Sequence, residues 1–369
     1  MKIVVLGGAG DMGAAAVRDL LKFTDVQQVT IAARNTAAAE KLASALGDRR
    51  AVVQKVEATS HADLVRVMQG HDVAAGALGP FYRFEKPLVE AALTAGVDYV
   101  SICDDHDAVQ AVLALDRAAA KKERKILTGL GWTPGITNIL ARKGYDELDN
   151  VEKIQVYWAG SAGDSEGLAV ILHTLHIFTG KVVSFQDGEF IEVQAGSGKE
   201  IVAFPAPLGK ITVFHLGHPE PVTLPRYLPG VQEITLKGGL AENYLHSLAK
   251  TIVALGFTST ASKKQKLGTF MKKMLPLFPA AKNRSLSGAR VDITGMRNGQ
   301  KVRITYATVD RMRRLTGIPL SIGACMLAQG KIKRCGVFGP EAEGAINPDD
   351  FLQELARRDI EIKRWETGL

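Results

Sequence analysis

Through its first 130 residues the chain alternates short apolar runs with segments of helical period, the order in which a parallel sheet and its crossover helices are written. The runs Ile3 to Leu6, Val29 to Ala32, Ala51 to Val56, Val73 to Leu78, Tyr99 to Ile102 and Ile126 to Thr128 predict six strands. Between them Ala14 to Lys22, Ala37 to Leu46, His61 to Met68, Lys86 to Ala95 and Ala108 to Lys122 carry the helix pattern. This is a doubly wound parallel α/β unit of the Rossmann type. After Gly131 longer strand-like runs take over: Val151 to Trp158, Lys181 to Phe185, Phe190 to Gln194, Ile211 to His215 and Gln232 to Leu236. Asn298-Gly299, between Ala289 to Gly295 and Lys301 to Thr308, suits the positive φ angles of a tight hairpin turn. Helical pattern returns at Gly317 to Gln329 and Pro348 to Arg358. The expected organisation is a Rossmann domain from 1–130 plus 316–369, with an inserted α+β mixed-sheet domain at 131–315.

Directly after the first strand stands Gly7-Gly8-Ala9-Gly10-Asp11-Met12-Gly13, matching GxGxxG at Gly8, Gly10 and Gly13 and leading into an alanine-rich helix. In that context Gly8 serves the tight turn, Gly10 lets backbone approach a pyrophosphate, and Gly13 lets the helix pack on the strand. The phosphates then meet unpaired N–H groups and the positive end of the helix dipole. The second strand ends in Ala33-Arg34-Asn35, without the acid that usually binds the ribose 2′-hydroxyl of NAD. Arg34 instead suits a 2′-phosphate, so NADP is expected over NAD. The competing reading leaves Arg34 as an exposed loop residue or stacked on the adenine. Glu57, Ala58 and Thr59 are expected to border the adenine, and Leu78, Gly79 and Pro80 to approach the nicotinamide, because ligands lie beyond the carboxyl ends of parallel strands.

Composition narrows the class. With 46% hydrophobic residues among 369, the chain buries a large core, and no apolar stretch of membrane-spanning length or basic-then-apolar leader is found. A cytoplasmic protein is expected. Cys103, Cys325 and Cys335 are too scattered for a disulfide framework or a metal knuckle, and no metal is expected. The net charge of +7 is concentrated: from Asn243 to Arg290 there are nine Lys or Arg and no acid. Within it Lys263, Lys264, Lys266, Lys272 and Lys273 flank Leu267, Phe270, Met271 and Met274. A solvated face is the leading reading; attraction of an anionic substrate, or membrane contact through 263–284, stands second. No nucleic-acid motif accompanies the segment.

Candidate chemistry lies at three places. The fifth strand runs into Cys103-Asp104-Asp105-His106, bringing Asp104, Asp105 and His106 to the sheet edge where the cofactor is expected. Hydride transfer at an amine or imine also needs a proton donor or acceptor, which a carboxylate or imidazole supplies; alternatively Asp105 or Asp107 caps the next helix. A second cluster, Phe214 to Tyr227, holds His215, His218, Glu220 and Arg226 in a proline-stiffened loop. There Arg226 could bind a substrate carboxylate, and His218 or Glu220 could exchange protons. His173 and His176 lie on an apolar helical run and read as core or interface residues.

The third place is Gly129-Leu130-Gly131-Trp132-Thr133-Pro134-Gly135-Ile136-Thr137-Asn138-Ile139-Leu140. This segment resembles the saccharopine dehydrogenase superfamily, above all its L-lysine 6-dehydrogenases. The glycine-rich start, the ending of strand five and the segment Thr316 to Ile332 fit the broader group. The resemblance implies an inserted domain for substrate binding and homodimerisation, with Gly131, Thr133, Pro134, Gly135 and Asn138 lining the substrate cleft. It also implies hydride transfer between NAD(P) and a carbon–nitrogen bond of a small amino acid, opine or polyamine. A simpler reading has Pro134-Gly135 only starting a helix. The string His218-Pro219-Glu220-Pro221 departs from the lysine dehydrogenases, which puts lysine as substrate in doubt. Reduction of a carbonyl or activated double bond, and a non-catalytic NADP sensor, are the competing functions.

Overall fold

The structure, a computed structural model, describes residues 1–161, 163–164, 167–242, 251–253, 255–274 and 285–369. The chain divides into two compact units, Met1–Ile136 with Arg313–Leu355, and Thr137–Met312 with Ala356–Leu369. The first opens with β1 (Lys2–Leu6), α1 (Asp11–Phe23), β2 (Gln28–Ala33), α2 (Thr36–Leu46), β3 (Ala51–Lys55), α3 (His61–Met68) and β4 (Val73–Gly76). It continues with α4 (Phe81–Ala95), β5 (Asp98–Ser101), α5 (His106–Leu113), α6 (Asp116–Lys121) and β6 (Lys125–Leu127). All six expected strands form. The single helix expected over Ala108 to Lys122 is instead two, because Ala114 and Leu115 leave the helix between them.

The sheet is parallel throughout, and a seventh strand, Gly336–Phe338, adds beside β6. Its order runs from that strand through β6, β5, β4, β1 and β2 to β3, so direction of winding reverses between β4 and β1. Such a switch point opens a crevice beyond the strand ends. The register places that crevice: Leu6 pairs with Ala32 on one side and Gly76 on the other, so the glycine loop leaves β1 level with both neighbours' ends. The strands read as near-continuous apolar runs because helices cover both faces; Ile3 to Leu6 are fully buried.

The second unit begins with α7 (Ile136–Asp146), β7 (Asn150–Gly160), α8 (Leu168–Ile177), the hairpin β8 (Lys181–Gln186) and β9 (Glu189–Gln194), β10 (Glu200–Ala203) and β11 (Lys210–His215). Then come α9 (Glu220–Tyr227), β12 (Glu233–Leu240), α10 (Ala261–Met274), β13 (Ser287–Arg297) and β14 (Gln300–Asp310). Among the described residues these eight strands and a ninth, Lys363–Gly368, build a mixed sheet in which β7 is parallel to β12 and antiparallel to β13. Asn298 and Gly299 turn the β13–β14 hairpin with φ of 51° and 75°, and Asp187 and Gly188 turn β8 into β9 in the same way.

Two expectations are corrected. Residues 356–369, expected in the first domain, belong with the second unit, where Lys363–Gly368 pairs with β14 as its edge strand. The stretch expected to be a proline-stiffened loop is in part the helix α9. Pro219 and Pro221 sit at its first turn, where a residue without an N–H costs the helix nothing. Of the basic segment, α10 is described and packs on α8, with Gly268 giving room to Leu172. Lys263, Lys266, Lys272 and Lys273 are exposed, while 243–250 and 275–284 lie outside the described residues.

Candidate functional site

In the first unit the glycine loop is shaped for a dinucleotide, with one role redistributed. The tight turn falls at Gly7, whose φ is +79° and whose missing side chain would lie 2.6 Å from the Ala77 carbonyl oxygen. Gly8 packs inward: a Cβ there would meet the Val5 carbonyl at 2.9 Å and Ile31 at 3.2 Å. At Gly13 a Cβ would run into the Gly7 carbonyl and come within 2.8 Å of the Gly8 Cα, so only glycine lets α1 start this close to the turn. Gly10 differs, since a Cβ would meet only the Gly7 carbonyl at 3.3 Å and the residue is exposed. Gly10 also occupies the N-cap of α1 without a capping side chain, leaving the first amides directed at the loop. Ala9, Asp11 and Met12 complete the turn, Asp11 being exposed and Met12 half-buried. An open glycine at an uncapped helix N-terminus, flanked by glycines that cannot be anything else, fits a pyrophosphate.

A support for this loop went unnoticed in the sequence. Helix Met312–Ala328 lies against α1 so closely that a Cβ on Gly317 would come 2.6 Å from the Met12 carbonyl and 2.7 Å from Ala15. One turn on, Ser321 donates to the buried Asp19 at 2.6 Å. Gly317 and Ser321 are four apart, as are Ala15 and Asp19, so each pair shares one helix face. That spacing was the available signal.

Around the rest of the crevice, Ala33 is buried and Arg34 exposed. The Asn35 side chain caps α2, accepting from the Ala38 amide at 3.3 Å. Glu57 accepts from both the amide and hydroxyl of Thr59, which hold its carboxyl below the usual range, with a further contribution from the Arg34 charge. Ala58 lies half-buried between them, and Leu78, Gly79 and Pro80 are likewise half-buried beyond β4, with the Leu78 Cα against Gly7.

The residues after β5 divide. Asp105 is fully buried and stands at the N-cap of α5, yet its carboxylate does not cap that helix: it accepts from the Tyr82 amide, in the first turn of α4, at 2.8 Å. Asp104 and His106 are half-buried in the same turn. The Cys103 thiol is pushed well up by burial and by its acidic neighbours, so it is no nucleophile. Close by is an acid that sequence reading missed. Glu85, on α4, is fully buried and accepts from Tyr99 at 3.0 Å, from Thr128 at 3.1 Å, and from Ser101. Burial raises its carboxyl to about 7, against the pull of these three hydroxyls. Nothing in its sequence neighbourhood, Phe84-Glu85-Lys86, sets it apart from a surface helix residue.

The segment after β6 is a closed turn, with Gly131 donating to the Pro134 carbonyl at 2.9 Å and accepting from Ile136 at 3.0 Å. Gly135, at φ +128°, would strike Gly131 with any side chain. Thr133, Pro134 and Gly135 are buried in this turn, and α7 begins directly after it.

In the second unit, α7 and α9 bring sequence-distant candidates together. Thr137 donates to Glu220 at 2.9 Å and the Asn138 amide to Thr223 at 3.2 Å. His218 Nδ1 lies 3.8 Å from the second Glu220 oxygen. Glu220, Thr137 and Asn138 are fully buried, and His218 is 3% exposed. The imidazole of His218 faces His173 edge-on at 5.2 Å and Trp158 at 5.7 Å, and Gly238 leaves the space that the Trp158 indole fills. His173, read from sequence as a core histidine, thus joins the cluster, while its neighbour His176 contacts Lys264 at 3.0 Å. His215 and Arg226 go elsewhere. His215 packs against Gly198 with its pKa lowered by burial and by Lys237, and Arg226 is exposed on the last turn of α9.

Known proteins resemble this chain in sequence and in fold. Residues 3–127 match the family model of the saccharopine dehydrogenase NADP-binding domain. Carboxyaminopropylagmatine dehydrogenase from Synechocystis sp. is 24% identical over 392 aligned positions, covering 98% of this chain and 96% of that protein. The apo saccharopine dehydrogenase (L-Glu forming) of Saccharomyces cerevisiae superposes with a TM-score of 0.75 at 16% identity, over 99% of both chains, and so shares the fold. Residues 3–127 are thus an NADP-binding domain similar to that of the saccharopine dehydrogenases, and the chain is an oxidoreductase.

Proposed function

We propose that the chain transfers hydride between NADP(H) and a carbon–nitrogen bond of a polyamine- or amino-acid-derived secondary amine, the first unit holding the cofactor and the second the substrate. The observation carrying this reading is the buried group of His218, Glu220, Thr137 and Asn138, whose chemistry suits a basic nitrogen. Bound nicotinamide supplies or accepts the hydride. The remaining tasks fall to this chain's residues. Gly10 and the amides of α1 hold the pyrophosphate, and Arg34 pairs with the 2′-phosphate. The Glu220 carboxylate, fixed by Thr137, attracts a protonated amine. His218 holds or moves the proton that nitrogen gains on reduction of an imine and loses on oxidation of an amine. Asn138 and the Thr133–Gly135 turn orient the substrate. Asp104 and His106 are the corresponding candidates in the first unit, and Asp105 acts by fixing α4. His215 and Arg226 are assigned to the outer end of the substrate.

The Synechocystis relative's name, carboxyaminopropylagmatine dehydrogenase, supports a substrate with a secondary amine and a carboxylate. A homodimer in the cytoplasm, formed through the second unit, completes the proposal. The test is an NADP(H)-coupled absorbance screen of polyamine-derived secondary amines in the oxidative direction and of amine plus aldehyde or keto-acid pairs in the reductive direction. Turnover with at least one such pair is expected. Turnover of simple carbonyl compounds with none of the amines would overturn it in favour of a carbonyl reductase.

A further inference from the structure

The function proposed above leaves Glu85 without a task, yet it is among the most elaborately held groups in the first unit. Its carboxylate reaches from α4 beneath the carboxyl ends of three adjacent strands: Gly76 ends β4, Ser101 ends β5, and Thr128 follows β6. Room for this is built in, since any side chain on Gly76 would overlap the Tyr99 hydroxyl that donates to Glu85. The Ser101 oxygen that donates to Glu85 also accepts from the Cys103 amide at 3.4 Å, which ties the carboxylate to the turn carrying Asp104. The titratable groups facing Glu85 are Tyr99 from β5 and Cys103 and Asp104 from the turn beyond it. From the other elements packed on α4, β4 ends in Gly76, α3 buries Leu64, Val67 and Met68, and α5 buries Ala108, Val109, Val112 and Leu113. No buried cation is among these groups to balance the carboxylate.

In a parallel sheet this edge, on the β4–β5 side of the switch point, receives the nicotinamide half of a dinucleotide. The nicotinamide carries a positive charge when oxidised and none when reduced. We propose that Glu85 is a charge-compensating residue for the nicotinamide, giving its proton to solvent when NADP⁺ binds and keeping it when NADPH binds. The balance is simple: the protonated carboxyl and NADP⁺ become the carboxylate, the bound NADP⁺ and one free proton. No covalent bond to the cofactor forms. Such linkage requires that the carboxyl titrate near neutrality in the empty protein, and burial places it there, at about 7. One pKa unit of coupling corresponds to about a tenfold change in affinity.

The inference rests on the cofactor site and on no particular substrate, so failure of the amine screen would leave it intact. Dissociation constants for NADP⁺ and NADPH are measured by calorimetry and fluorescence from about pH 5.5 to 8.5, bracketing the Glu85 titration. Calorimetry in buffers of different ionisation enthalpy counts the protons released. The 2′-phosphate titrates alike in both cofactors and cancels in their ratio. In the wild type the preference for NADP⁺ over NADPH should grow about tenfold with rising pH, with more protons released on binding NADP⁺ than on binding NADPH. Glu85→Gln should abolish both the pH dependence of that ratio and the excess release with NADP⁺. Thr128→Val, which removes one hydroxyl that favours the ionised form, should move the midpoint to higher pH, and it decides the matter if the glutamine variant fails to fold. A ratio independent of pH in the wild type, the wild-type dependence persisting in Glu85→Gln, or an unmoved midpoint in Thr128→Val would overturn the proposal.

Discussion

The buried Glu85 carboxyl makes the stability of the first unit depend on pH in a direction opposite to that of most carboxylates. In the folded chain it titrates near 7, while its ordinary value is 4.5. The folded pKa is raised, so the stabilisation is fully present below the unfolded value and is lost as pH rises through the folded one. Between those limits the folded state binds the extra proton, and stability falls as pH rises. A separation of this size, at 1.36 kcal/mol per unit, amounts to about 3 kcal/mol lost between about pH 4.5 and 7. Glu85→Gln keeps the volume and removes the titration. Urea unfolding at a series of pH values reads the effect, with Trp158→Phe and Trp365→Phe as background so that Trp132 alone reports on the first unit. Wild type minus variant should show a slope of close to one proton across that window and a plateau above it. Parallel curves would refute the assignment of the burial penalty to Glu85, and a wild-type-minus-variant difference that rises with pH would refute its sign.

Four further outcomes follow from the geometry. Gly10→Ala should leave the melting temperature nearly unchanged and weaken NADPH binding in a fluorescence titration. Gly13→Ala, whose Cβ would overlap the Gly7 carbonyl, should lower both; equal effects would remove the distinction between an open and a packed glycine. Arg34→Ala should reduce the preference for NADPH over NADH by about tenfold or more, as expected for loss of a charge-assisted phosphate contact, and an unchanged ratio of dissociation constants would exclude that contact. His218→Ala and Glu220→Gln should each cut kcat by about a hundredfold or more while sparing NADPH affinity; unchanged turnover in both would remove the cluster from the mechanism. Gly317→Ala should destabilise the first unit by about 1–3 kcal/mol in urea unfolding, through its clash with α1, and a neutral effect would mean that the two helices separate without cost.

The cofactor half was legible because its signals are local. A turn, an uncapped helix start and a close backbone approach each demand glycine at fixed offsets, and strand and helix periods survive in any alignment-free reading of Ile3 to Phe23. Even so, the positive φ falls at Gly7 where the motif suggested Gly8. His218, Glu220 and Asn138 were legible as residue types in unusual company. Their assembly was not, since Thr137 and Glu220 are 83 positions apart and meet only because α7 and α9 pack within the same unit.

What the sequence by itself determined is the order of elements, the dinucleotide loop and the family resemblance, because each rests on contacts between residues within a turn or two of one another. Only the tertiary structure decided that residues 363–368 complete the second sheet, that Asp105 caps the helix before it instead of the one after, and that Glu85 is buried. A carboxylate at a helical position looks the same in sequence whether it faces water or three hydroxyls. Its proton affinity is set by the desolvation it suffers and the donors it meets, and both come from strands distant along the chain.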